Sequence, residues 1–181
     1  MKRRDLLVAA GGAAIAAVTL PTAERASALA TPLASPVPAS AEDKRFMRLA
    51  LDEAMQGDFP FGAVIVRDGE VLARGFNSGK RDDDPTAHGE MNAIHAFLSK
   101  HGAAALRGTT LYTTGEPCPM CTGAIIWCGI RRVVYAASIA ELATKMDQIM
   151  MTSAEIAATA SFSPLAITGG VLSEEALALF G

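Results

Sequence analysis

Apolar residues at Phe46, Leu49, Ala50 and Ala54 recur with helical spacing through AEDKRFMRLALDEAMQG, which predicts an amphipathic helix over 41–57 closed by a glycine. PFGAVIVRDGEVLARGFN (60–77) instead reads as two β-rich runs around Arg67-Asp68-Gly69, and Asp-Gly between such runs predicts a hairpin. NSGKRDDDPT (77–86) is a loop punctuated by Gly79 and Pro85. Helical spacing resumes through Met91, Ile94, Ala96 and Leu98, predicting a helix over 88–102 that ends at Gly102. TTLYTT (109–114) predicts a short strand, and the apolar run from Cys118 to Cys128, opened by prolines, a helix. A strand follows at 130–138, then a helical stretch from about Glu141 to Ala158. The pattern closes with a strand at 164–168 and a helix over 173–180 capped by Ser173. Strands alternate with helices after a single hairpin, so the order predicts an α/β domain with a mixed sheet and helices on both faces. No internal repeat is visible.

The first forty residues follow another pattern. Lys2, Arg3 and Arg4 precede an apolar run from Leu6 to Leu20, and Ala26-Ser27-Ala28 offers a small-x-small cleavage site. These features mark 1–30 as an export signal, and the paired arginines point to the twin-arginine route. The apolar run, interrupted by Gly11-Gly12, falls short of the ~20 residues a span requires, so no stable membrane span is expected in the mature form. TPLASPVPAS (31–40) reads as a Pro/Ala/Ser linker, leaving 41–181 as the mature domain and a periplasmic or secreted location as the expectation.

With 181 residues, half of them hydrophobic, the chain holds enough for one well-cored domain. Its net charge is −3; the leader, with four basic and two acidic residues, carries +2, which leaves −5 on the mature part. An acidic domain without a basic run is a poor nucleic-acid binder, because phosphate neutralisation supplies most of that affinity.

The chemistry lies in TAHGE (86–90) and EPCPMC (116–121). His88, Cys118 and Cys121 offer one nitrogen and two sulfurs, a mixture that suits zinc and leaves a fourth tetrahedral position open. Both His88 and Cys118 fall where a loop becomes a helix, and the positive helix start favours thiolate. Residues two apart on a regular helix do not share a face, so Glu90 approaches the metal only if His88 sits at the helix boundary. Read alone, Cys118-x-x-Cys121 also fits a thioredoxin-like redox pair, which metal content and thiol reactivity distinguish from a zinc site. A non-catalytic zinc module is a further alternative.

The spacing H-x-E with P-C-x-x-C is the known signature of zinc deaminases. PFGAVIV, GFN, DPTAHGE, TLYTTGEPCPMCTGAIIW and RRVVYAA, in that order, resemble the cytidine/deoxycytidylate deaminase superfamily, most closely its small guanine and cytosine deaminases. The resemblance spans roughly residues 41–138. It implies a three-layer α/β/α sandwich with a mixed five-stranded sheet, a zinc held by His88, Cys118 and Cys121, and hydrolytic deamination of a free nucleobase or nucleoside. In such enzymes the metal acidifies a water, and the glutamate matching Glu90 moves the protons. Asn77 matches an asparagine that holds the base or sugar edge, and Trp127 a tryptophan whose face could stack on a purine.

DPTAH, CPMCTGAIIW and VYAA are nearest to guanine deaminases and MCTGAII also to cytosine deaminase, which orders the substrates guanine first, cytosine second. Gly115 stands where related enzymes have Cys or Leu, and Asp147 is displaced by about two positions from a guanine-recognising aspartate, so that role is not carried over. A tRNA adenosine deaminase shares the core motif, but the acidic domain and the export leader count against it. Relatives are commonly homodimers whose pocket borrows residues from the neighbour, so a homodimer is implied. Cys128, His95 and His101 read as structural or surface residues, and Asp82-Asp83-Asp84 as a solvated loop.

Overall fold

The computed structural model describes residues 38–181; the expected leader over 1–30 and the linker up to residue 37 lie outside the described residues. Helix α1 spans Ala41–Ala54 and begins with a capping box, in which Ser40 Oγ accepts the Asp43 amide and Asp43 accepts the Ser40 amide. Strands β1 (Gly62–Arg67) and β2 (Glu70–Phe76) form the expected hairpin. Asp68 and Gly69 form its two-residue turn with φ of 50° and 78°, the left-handed pair that matches strand twist.

Helix α2 (Gly89–His101) is followed by a short 3-10 turn and then by β3 (Thr110–Gly115). Helix α3 (Pro119–Cys128) leads to β4 (Arg132–Ala137), and β5 (Ala166–Thr168) completes the sheet. Its order is β2-β1-β3-β4-β5, antiparallel from β2 to β3 and parallel from β3 to β5. This is the mixed five-stranded sheet that the sequence predicts.

Period-two alternation divides each strand between two cores. Val64, Val66, Tyr112 and Val134 pack with Phe46, Met47 and Ala50 of α1. Ala63, Ile65, Leu111 and Val133 pack on the other face with Ala93 and Phe97 of α2 and Ile125 of α3. Covered on both sides, β1 reads as a continuous apolar run rather than an alternating one. The α/β/α layering follows.

Two expectations are corrected. The helix expected over 141–158 is two short ones, α4 (Ile139–Leu142) and α5 (Ser153–Thr159), separated by irregular chain. Each starts at its own capping box, Ser138 with Glu141 and Thr152 with Glu155. Between them residues 143–151 are exposed or half-buried, so no apolar face exists to stabilise a helix there. In the last helix, α6 (Ser173–Leu177), the N-cap is Leu172 in a left-handed conformation rather than Ser173. The Ser173 hydroxyl donates instead to Glu141 Oε1 at 2.9 Å. Among the described residues no helix is long and apolar enough to cross a membrane.

Candidate metal centre and cavity

The ends of β2 and β3, which run the same way on either side of β1, bring the starts of α2 and α3 together. His88 is the N-cap of α2, with φ −73° and ψ 157°, and Cys118 the N-cap of α3, with φ −62° and ψ 169°. Neither side chain makes a capping hydrogen bond, so imidazole and sulfur are free to face each other. Pro119 opens α3 with its fixed φ at a position whose N–H would have no helical partner. Cys121 lies three residues after Cys118, on the same side of the helix, and is fully buried.

His88 Nδ1 stands 3.7 Å from Cys118 Sγ and 3.6 Å from Cys121 Sγ, and the three donor atoms lie within 4.8 Å of one another. Zinc bound at about 2.0–2.1 Å to nitrogen and about 2.3 Å to sulfur sets tetrahedral N···S edges of about 3.6 Å. The donors therefore stand at zinc-site separations, and their number leaves one corner free. Among themselves they share charge unevenly. A hydrogen bond from the Cys121 thiol, opposed by burial and aided by His88, holds the Cys118 thiol down at about 4. Cys121 is pushed far up by that same donation and by burial. His88 is raised by its hydrogen bond with Cys118, against burial.

Glu90 sits in the first turn of α2 and is buried, 6% exposed. Burial pushes its carboxyl above the ordinary carboxylate range, and the Cys118 sulfur adds to the rise. Its own backbone amide and His88 oppose it. A carboxyl so placed is suited to exchanging a proton rather than to carrying a permanent charge. Because His88 stands at the helix boundary, both side chains reach one cavity of about 560 Å³.

Asn77 also lines this cavity and is buried. Its backbone is held on both sides: its amide donates to Phe61 O and its carbonyl accepts from Asp58 N, each at 2.8 Å. The Asn92 amide on α2 donates to Phe76 O and Ser78 Oγ, which ties the loop around Asn77 to the helix carrying Glu90. Asn77 Oδ1 accepts the Gly79 amide at 3.3 Å, and among the described residues Nδ2 has no protein partner.

Trp127 is not brought to this cavity. It is 77% exposed, its ring tilted against Phe162 with centroids 4.7 Å apart, so it forms no wall of the space that holds Glu90. A helix turns by about 100° per residue, and Trp127, six positions after Cys121, points to another side. Asp82, Asp83 and Asp84 are exposed and outside the cavity lining, His95 is exposed, and Cys128 is half-buried. His101 lies against the Phe97 ring at 4.7 Å.

The cavity has walls that the sequence motifs do not mark. Phe59 and Phe61 form an apolar side, Glu116 lies beside Cys118, and Asp147 and Ile149 come from the irregular segment after α4. Glu116 was signalled only by its place in EPCPMC. The Asp147 region reads as helix in the sequence but is irregular chain between α4 and α5, which is why its position was not legible.

An α/β/α sandwich in which two helix starts present His-Cys-Cys donors beside a buried glutamate has the site composition of the zinc deaminases. Residues 40–137 match the family described as "Cytidine and deoxycytidylate deaminase zinc-binding region". The chain belongs to that family. A guanine deaminase of Bacillus subtilis is 47% identical over 95 residues, which cover 52% of this chain and 61% of the relative. A tRNA-specific adenosine deaminase of the same organism is 39% identical over 100 residues, covering 53% and 62%. The chain thus spans less than two thirds of either relative. A solved tRNA:A34 deaminase superposes with a TM-score of 0.66 at 31% identity, over 75% of this chain and 98% of that one.

Proposed function

We propose that this protein hydrolytically deaminates a free nucleobase or nucleoside, guanine first and cytosine second, with release of ammonia. The observation that carries the reading is the placement of Glu90, a buried carboxyl two residues after the imidazole of a zinc-sized donor set, on the wall of a cavity of about 560 Å³.

In this reading His88, Cys118 and Cys121 hold the zinc, which when bound supplies the Lewis acidity that brings a water's pKa toward neutrality. Glu90 takes a proton from the attacking water and delivers it to the ring nitrogen beside the amino-bearing carbon. A second transfer through the same carboxyl serves the departing amine. One C–N bond breaks and one C–O bond forms, so base and water become the oxo-base and ammonia without any oxidant. Asn77 orients the substrate through its unpartnered Nδ2, and Phe59 and Phe61 exclude water from the ring faces.

The likeness to a guanine deaminase and the DPTAH and CPMCTGAIIW stretches support guanine. One observation favours a second reading, tRNA adenosine deamination: the match to the tRNA:A34 deaminase runs over almost all of that chain. The charge of −5 outside residues 1–30 counts against it. Ammonia release should be followed over guanine, cytosine, adenine, their nucleosides and a tRNA substrate. Guanine is expected to react fastest; deamination confined to tRNA, with salt-sensitive binding, supports the second reading. No ammonia from any of them overturns both. The reading also includes a homodimer and export through the leader over 1–30, tested by light scattering and by N-terminal sequencing of the exported protein.

A further inference from the structure

Glu116 is a buried carboxylate, 7% exposed, that the chemistry above does not use. It follows β3 directly, two residues before Cys118, and its backbone amide donates to Ala137 O at 2.7 Å at the end of β4. Its Oε2 accepts the Ile139 amide at 3.0 Å. Its Oε1 accepts both the Ser153 amide at 2.9 Å and the Ser153 hydroxyl at 2.8 Å.

Ile139 and Ser153 are the first residues of α4 and α5. The capping boxes of these helices occupy the third-position amides and leave the first amide of each without a helical partner. One carboxylate satisfies both. The chain between the two helices lacks regular structure and buries little, so it has few contacts of its own to fix it. Yet Met146, Asp147, Gln148 and Ile149 from this segment line the cavity.

We infer that Glu116 is the positioning residue for this wall: its carboxylate ties the first residues of the two helices that flank the 143–152 segment to the strand end that carries the zinc cysteines. The spacing between metal donors and substrate wall is then set by one side chain. Glutamine cannot replace it, because its NH₂ would face a backbone N–H whichever way the amide is turned. The kinetic part of the inference rests on the deaminase reading; the structural part does not.

The test compares zinc-loaded wild type with Glu116→Gln and the milder Ser153→Ala, by hydrogen exchange, zinc content and steady-state kinetics on whichever base the wild type deaminates. In Glu116→Gln, amides of 143–152 are expected to exchange at least about tenfold faster, with KM raised about as much, since charge-assisted bonds to backbone are lost. The kcat should stay within about threefold and zinc at one per chain, because Glu90 and the donor set are untouched. Ser153→Ala should move exchange and KM the same way by less, and it decides the matter if Glu116→Gln does not fold. Wild-type exchange and KM in the variants overturn the inference, as does a KM change that appears only with zinc loss. If the wild type deaminates nothing, the functional reading fails, and the exchange data still decide the tether.

Discussion

His88 Nδ1 lies 3.6 Å from Cys121 Sγ although 33 residues separate them in the chain. No local rule produces that contact. It arises because β2 and β3 both pair antiparallel with β1 and so run the same way, which puts the loops that follow them, and that open α2 and α3, at one end of the sheet. The zinc set is thus a product of topology, and removing one donor should be felt by the metal first.

Cys121→Ser tests this. Disturbing the outer partners of a metal site alone costs roughly 10–100-fold in affinity, so losing a buried thiolate should cost at least as much. Zinc per chain after dialysis against a weak chelator should fall from near one to a small fraction, with ammonia release falling in parallel. Full zinc retention would remove Cys121 from the donor set.

Glu90→Gln separates the metal from the proton transfer. The side chain keeps its volume but loses the ability to carry a proton between water and ring. Turnover should fall by roughly 10²–10⁴-fold, the range a positioned acid–base group contributes, with zinc content unchanged. Unchanged turnover would mean that another group moves the protons.

The close approach of α2 to the sheet gives a prediction that links packing to the site. A Cβ at Gly75 would stand 2.3 Å from Ala93 N and 2.5 Å from Gly89 O, both backbone atoms of the helix that His88 caps and that carries Glu90. Gly75→Ala must therefore displace that helix, at a cost of about 1–3 kcal/mol. Gly62→Ala meets equally near backbone, Ala50 O at 2.3 Å and Ala54 N at 2.4 Å, but on α1, which holds no site residue. Both variants should melt lower by calorimetry, and only Gly75→Ala should also lose more than about tenfold in kcat/KM below its melting point. Equal activity losses would show that helix position does not control the site.

Much of this arrangement is legible in the sequence because it is written in short range. Asp68-Gly69 specifies a turn that few other residue pairs allow, and His88 and Cys118 fall at loop-to-helix boundaries marked by Thr86, Pro117 and Pro119. Residues 141–158 failed for the converse reason. Alanine, glutamate and methionine favour helix intrinsically, but none of residues 143–151 is fully buried, and intrinsic preference without a buried face does not hold a helix. The side to which α3 turns Trp127 is not legible, because its motif position says nothing about it. Glu116 was overlooked since its partners, Ile139 and Ser153, lie 23 and 37 residues away.

The Asp43–Arg132 pair predicts how stability depends on pH. Arg132 Nη1 and Nη2 donate to Asp43 Oδ1 and Oδ2 at 2.7 and 3.0 Å, and Tyr112 donates its hydroxyl to Oδ1 at 3.1 Å, tying α1 to β3 and β4. Burial alone would raise the Asp43 carboxyl, but the hydrogen bonds from Arg132 and Ser40 outweigh it and hold the group at about 2, against an ordinary 3.8. A carboxyl depressed on folding stabilises the native state above its unfolded pKa, and that contribution, about 2 kcal/mol here, is lost as pH falls through the folded value. Asp43→Asn leaves Arg132 without its carboxylate at every pH, so the informative quantity is the change in the stability difference between the two proteins. That difference should be constant from pH 7 to about 5 and shrink by about 2 kcal/mol between about pH 4 and 2, measured by urea unfolding. A difference that stays flat across this acid range would mean that Asp43 carries no depressed pKa and that Arg132 is held by packing alone.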